Sequence, residues 1–340
     1  MLNLYLSIFR YKRFTGALGI GTSWAFLGLF KQEEKEKKPL SEMDQVKSIV
    51  IQGIRAKQMG HVDVSSQAFH KALQLSSEFL KEEKITIDQH RHHLVFIFDH
   101  LANLNLNEGN FEEAEKLFVE TMKLALQLGM PENDNAMMEM SLKLATIYLY
   151  TGKLDTGLMG LKHIIDEQEK KIAKEPVEKT LDPELAEIQR LELENSRILL
   201  GKAYRHYGTY YQQQQQFDKA EVYVKKALEM AKATLGPEHD QTFVIINDLA
   251  VMQISLKQFD QAEATLMEGL KCSQRANSLM SAVLYTNLGN LYMIQKQLGK
   301  AESVCNKGLK IAEDGRDKYL IHACQTCLKE VAELKQSKDK

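Results

Sequence analysis

Phe217-Asp218-Lys219-Ala220-Glu221 returns as Phe259-Asp260-Gln261-Ala262-Glu263, and from Ala220 to Ala262 the step is 262 − 220 = 42 residues. Self-similarity at that period means one supersecondary unit stacked on copies of itself. Between the two copies lie two helical patterns divided by Leu235-Gly236-Pro237. Gly takes a left-handed cap and Pro cannot continue a helix, so this tripeptide is a stop signal. After it, Phe243, Ile246, Leu249, Ala250 and Ile254 fall on one apolar face at helical spacing. The repeated object is a hairpin of two helices.

Within each hairpin a small residue on the first helix precedes a small residue on the second by 12. The pairs are Ala102/Ala114, Ala145/Gly157, Gly208/Ala220, Ala250/Ala262 and Gly289/Ala301, with Ala56/Ala68 in a less regular first unit from Gln45 to Phe79. Small residues let helix backbones approach while larger flanking residues fill the grooves. This arrangement resembles the tetratricopeptide repeat, and the Leu-Gly-Pro-Glu-His turn is similar to that of kinesin light chains. The expected fold is an all-α solenoid over residues 45–336, six helix pairs with Tyr319–Leu334 as a capping helix, and a tail at 337–340. Asp182-Pro183-Glu184 starts the fourth unit with an Asp cap and Pro at the first helical position. Two small-residue motifs follow, Leu200-Gly201 with Tyr204 and Tyr207-Gly208 with Tyr211, and only Gly208 keeps the offset to Ala220. That helix should outrun its neighbours.

The first 32 residues contain no acid, against Arg10, Lys12, Arg13 and Lys31. An acid-free, basic and apolar start is the composition of a mitochondrial presequence, assigned to 1–13. Residues 14–30 are uncharged and as a helix span about 25 Å, near the lower limit for a bilayer core of about 30 Å. They are read as a single membrane anchor or as the remainder of the presequence, followed by a charged linker over 31–44. The positive-inside bias puts the N-terminus in the matrix and the repeats in the intermembrane space.

A net charge of −2 provides no overall basic field for nucleic acid. No phosphate-binding Gly-rich loop follows a strand pattern, and no nucleophile, base and orienting group converge, so no catalytic residue, cofactor or metal ligand is assigned. His90-Arg91-His92-His93 lacks the i, i+4 pairing of helical metal sites and reads as a solvated helix start. Cys324 and Cys327 form a C-x-x-C without a second pair, which with Cys272 and Cys305 reads as helix packing and indicates no disulfide framework. Gln212–Gln216 reads as a solvated helix end. A solenoid offers instead a concave groove lined by the first helices. Two positions before the small residue stand His100, Lys143, His206, Asp248 and Asn287. One position after it stand Asn103, Thr146, Thr209 and Asn290. These nine are the candidate peptide-binding residues, because amide and hydroxyl groups can bond an extended backbone.

His93-Leu94, Asp99-His100-Leu101-Ala102-Asn103-Leu104, Asp134-Asn135-Ala136, Ser141 to Tyr148 and the lengthened fourth unit together are similar to the mitochondrial tetratricopeptide repeat protein 19 family. The resemblance runs from about residue 46 to the cap. It implies a non-enzymatic inner-membrane factor of respiratory complex III, the ubiquinol–cytochrome c reductase, that binds the complex and helps clear peptides of its Rieske iron–sulfur subunit. Two other readings compete, a kinesin-light-chain-like cargo adaptor or chaperone cofactor, and a thiol enzyme using Cys324 and Cys327. The adaptor should carry upstream heptads and no presequence.

Overall fold

A computed structural model describes residues 40–174 and 183–336. The presequence, the 14–30 segment, most of the linker, the Asp182 cap and the 337–340 tail lie outside the described residues. Those residues form thirteen α-helices. The first three hairpins are α1 (Glu42–Gln58) with α2 (Val62–Lys81), α3 (Ile87–Glu108) with α4 (Phe111–Gln127), and α5 (Asn135–Tyr150) with α6 (Leu154–Ala173). The next three are α7 (Pro183–Gln213) with α8 (Phe217–Thr234), α9 (Asp240–Ser255) with α10 (Phe259–Arg275), and α11 (Met280–Ile294) with α12 (Leu298–Asp314). The cap is α13 (Lys318–Gln336). Six helix pairs and a cap match the expectation, and α7, at 31 residues, is the long helix that its two glycine motifs predict. No helix among the described residues is long and apolar enough to cross a membrane. The chain divides into two compact units, an N-terminal one ending at Glu167 and a C-terminal one from Gln168 onward.

Local chemistry sets several helix starts. Thr86 and Gln89 form a reciprocal capping box at α3, with Thr86 N–H donating to Gln89 Oε1 at 2.7 Å and Gln89 N–H to Thr86 Oγ1 at 3.2 Å. Asp134 caps α5 by accepting from Ala136 N–H at 2.7 Å. Inside each hairpin the chain turns through one left-handed residue placed two before the second helix. These are Gly60, Gly109 and Gly152 in the N-terminal unit and Gln215, Lys257 and Lys296 in the C-terminal unit. After Gly109, Asn110 N–H reaches back to Asn105 C=O at 2.8 Å, and after Lys257, Gln258 N–H reaches Gln253 C=O at 2.8 Å. The same bond closes both kinds of turn and satisfies helix-terminal carbonyls.

Counted from this turn residue, the small residue of the first helix lies seven before and that of the second lies five after. The rule reproduces the last five predicted pairs and corrects the first. From Gly60 it selects Gly53 and Ser65, not Ala56 and Ala68. Ser65 is fully buried whereas Ala68 is only half-buried. A Cβ on Gly53 would lie 2.7 Å from the Phe69 ring, so the bulky partner sits where a side chain would stand. Ala56 misled because it is buried too, one turn away on the same face.

The small residues do bring backbones together. A Cβ on Gly157 would lie 3.0 Å from Ala145 C=O, and one on Gly208 3.3 Å from Ala220 C=O. Gly201 also faces α8, where its Cβ would meet Met230 Cβ at 3.0 Å. Both glycine motifs of α7 are therefore packing sites against one partner helix. Ala102, Ala114, Ala220, Ala250, Ala262 and Ala301 are 0 % exposed and Ala145 is 2 % exposed. Gly289 faces Cys305 and Cys327. In the N-terminal unit, Val46, Phe69, Ile97 and Leu101 share one core cluster, and Ala102, Phe118, Met137 and Ile147 share the next.

Two readings of the sequence need correction here. His90 and His93 are not solvated. Ser76 Oγ on α2 bonds His90 Nδ1 at 2.8 Å and His93 Nδ1 at 2.7 Å, and His93 is buried while only His92 of the three is exposed. A hydroxyl that both donates and accepts serves two imidazoles at once. Against the absence of any disulfide reading, Cys305 on α12 is bonded to Cys327 on α13. Its neighbour Cys324 and Cys272 are buried free thiols.

Candidate functional site

Neighbouring first helices are joined through polar side chains in one register. A residue three before the small position on one first helix meets the residue two before it on the next. In the N-terminal unit this links Asp99 on α3 to Lys143 on α5, Oδ1 to Nζ at 3.9 Å. In the C-terminal unit it links Arg205 on α7 to Asp248 on α9, with Arg205 Nε–H donating to Asp248 Oδ2 at 2.8 Å. It links Asn247 on α9 to Asn287 on α11, whose amide donates to Asn247 Oδ1. Three of the five residues at the two-before position, Lys143, Asp248 and Asn287, are thereby placed in buried seams.

Lys143 is 7 % exposed, 3.5 Å from Glu139 Oε1 and 5.4 Å above the Phe118 ring. Two carboxylates flank its charge, yet neither contact forms a hydrogen bond. His100 stacks on Phe69 at 5.2 Å and meets Phe96 edge-on at 4.8 Å. Burial lowers its pKa to about 4, with Lys57 and Lys143 adding to the shift and Asp99 opposing it. His206 keeps some surface, but its ring lies deep, and burial first, then Arg205 and Lys202, lowers it to about 3. Burial raises the Asp248 carboxyl while the Arg205 guanidinium pulls it back down.

The residues one after the small position behave differently. Asn103 Nδ2 donates to Asp99 C=O at 2.6 Å, Thr146 Oγ1 to Leu142 C=O at 2.8 Å, and Thr209 Oγ1 to Arg205 C=O at 3.1 Å. Each bonds the carbonyl four residues back on its own helix, which leaves the hydroxyl or amide oxygen as the group available to a partner. Asn290 Nδ2 contacts Asn287 Oδ1 at 3.5 Å, and it, Thr146 and Thr209 are half-buried. Reasoning from the sequence missed Asp99, Glu139, Arg205 and Asn247. The signal was legible as complementary pairs, one acid with one base or two amides, displaced by one position between successive first helices.

A cavity of about 340 Å³ lies between the end of α6, α7 and α8, lined by Ile172, Leu200, Met230 and Tyr204 with Glu169, Glu229 and Lys226 at its edge. The Tyr204 hydroxyl donates to Glu169 there, and burial raises its pKa. Among the described residues no group of three His, Cys, Asp or Glu is placed to hold a metal ion.

Models of the tetratricopeptide repeat match residues 199–275 and 282–314. Among solved structures of similar fold, the Rap protein complexed with competence and sporulation factor is 12 % identical, covering 99 % of this chain and 88 % of that one at a TM-score of 0.54. BtubC from P. vanneervenii is 20 % identical, covering 82 % and 93 % at 0.52. These likenesses concern the fold. Among curated proteins, the Drosophila melanogaster homolog of mitochondrial tetratricopeptide repeat protein 19 is 24 % identical over 318 residues, 92 % of this chain and 79 % of its own length. The Rattus norvegicus protein of that name is 31 % identical over 266 residues, 78 % of this chain and 68 % of its own. The chain belongs to the mitochondrial tetratricopeptide repeat protein 19 family.

Proposed function

We propose that this chain is a non-enzymatic scaffold of the mitochondrial inner membrane that binds respiratory complex III and supports its maintenance by helping clear Rieske iron–sulfur subunit fragments. Membership of the family supports the partner, and the acid-free N-terminus supports delivery to the organelle, with the repeats in the intermembrane space. The polar seams support the mode of binding. Asp99/Lys143, Arg205/Asp248 and Asn247/Asn287 fix the first helices of each unit in register. They hold Thr146 in the N-terminal unit, and Thr209, Asn290 and the Arg205 guanidinium in the C-terminal unit, on faces that are set before a partner arrives. A preorganised polar face loses little side-chain entropy on binding an extended peptide. His100, Asn103 and Lys143 in the N-terminal unit, and Asp248 and Asn287 in the C-terminal unit, act in this reading as buried supports, with His206 a half-buried one in the latter.

The test is capture from detergent-solubilised mitochondria with the full chain as bait. Complex III subunits, including Rieske fragments, are expected to be enriched over a matrix-protein bait. Equal recovery by both baits overturns the reading.

A further inference from the structure

Cys305 and Cys327 are 0 % and 2 % exposed, on the last hairpin's second helix and on the cap. We propose that they are an oxidative modification site, closed by exchange with a donor disulfide while the C-terminal unit folds, that locks α13 onto α11 and α12. In the docked unit their Cα atoms are 6.2 Å apart, inside the span of native disulfides. The third helix makes room for them. A Cβ on Gly289 of α11 would collide with Cys305 Sγ and stand 2.8 Å from Cys327 Sγ. Pairing is also selective. Cys324, three residues from Cys327, is a buried free thiol beside Thr286 Oγ1 at 3.4 Å and packs toward Gly308.

The exchange balances without a cofactor. One cysteine, as thiolate, attacks a sulfur of the donor disulfide, expelling a donor thiolate and leaving a mixed disulfide. The second cysteine's thiolate attacks the protein sulfur of that bond and expels the other donor thiolate. Two protein thiols are oxidised, one donor disulfide is reduced to two thiols, and the two cysteine protons pass to them. In the folded unit both sulfurs are out of a donor's reach. Oxidation therefore precedes the docking of α13, and the finished bond is shielded from reductants. It is a permanent staple, not a switch. Donor disulfides belong to oxidising compartments, so the state of this pair reports where the repeats fold. The proposal does not depend on complex III binding, and a failed capture leaves it standing.

Protein drawn from mitochondria into acid, denatured and treated with a mass-adding maleimide measures the state directly. Of the four cysteines, two are expected to react before reduction and all four after it, with peptide mapping joining Cys305 to Cys327. Four reacting before reduction, or a map joining Cys324 to either, overturns the site. Protein reduced in denaturant and refolded in reductant should have a Tm lower than that of the oxidised protein by roughly 5–10 °C, the scale expected for a loop of 22 residues. The Cys305→Ser/Cys327→Ser variant should lose that dependence. A wild-type Tm unchanged by reduction in denaturant and refolding overturns the lock, and that reading stands even if the variant fails to fold.

Discussion

The two units build the same hairpin turn from different residues. In the N-terminal unit the left-handed position is glycine each time, at Gly60, Gly109 and Gly152; in the C-terminal unit it is Gln215, Lys257 and Lys296. A side chain there costs roughly 1–2 kcal/mol, yet the turn is unchanged. Packing of the two helices imposes the backbone, and glycine only makes it cheaper. The seams differ in parallel. The N-terminal unit buries Lys143 between Asp99 and Glu139, while the C-terminal unit pairs Arg205 with Asp248 and two asparagine amides with each other. The turns are easier in the N-terminal unit, and the lysine buried there lacks the hydrogen bond by which Arg205 meets Asp248 in the other.

Acid should separate the units most. His93, which faces Ser76, His90 and His92, and His100, which faces Asp99, Lys57 and Lys143, both have pKa values lowered to about 4, first by burial. Unfolded, they take up protons near pH 6.5, so between about pH 6.5 and 4 the unfolded chain binds more protons and stability falls with falling pH. Each contributes roughly 1.4 kcal/mol per pH unit in that window and nothing above it. The C-terminal unit has one such group, His206. Hydrogen exchange followed by helix should show α2 and α3 losing protection before α9 and α11. Simultaneous loss, or none down to pH 4.5, breaks the comparison.

Lys143→Met comes next. It strands two buried carboxylates and should cost about 3–5 kcal/mol in denaturant unfolding of the N-terminal unit. In the C-terminal unit, Asn287→Ala strands no charge, leaving the Asn247 amide oxygen without its donor and the half-buried Asn290 amide without its acceptor, and should cost about 1–3 kcal/mol. Equal costs would mean the ionic seam is no more demanding than the amide one. The smallest effects belong to the turns. Gly109 has open space around it, so Gly109→Ala should cost about 1 kcal/mol through backbone strain alone. Lys257→Gly should change stability by less than about 1 kcal/mol, toward greater stability, because relief of strain is offset by a freer unfolded chain. A destabilised Lys257→Gly protein would show that the lysine side chain contributes something the turn geometry does not reveal.

Much of the fold was legible because helix packing leaves a periodic trace. The 12-residue offset located five hairpins, and the paired glycines at Gly201 and Gly208 announced the length of α7. The first hairpin was misplaced by three residues, since Ala56 and Gly53 lie one turn apart on the same buried face and only the position of Gly60 in the turn separates them. The candidate site was half legible. Its residues were found by counting from the small position, but the count could not say that Lys143, Asp248 and Asn287 point into seams between helices. Their partners, Asp99, Arg205 and Asn247, lie on other helices at different offsets. The solvated reading of His90-Arg91-His92-His93 failed for the same reason, because Ser76 on the preceding helix was invisible to it.

By itself the sequence determined the repeating hairpin, its register in five of six units and the family, because small residues and turn signals act locally and recur. Only the tertiary structure decided which polar groups are buried, which charges meet, and that Cys327 joins Cys305 and not its neighbour Cys324. Those outcomes depend on side chains from separate helices sharing one place, and no spacing within a single helix encodes that.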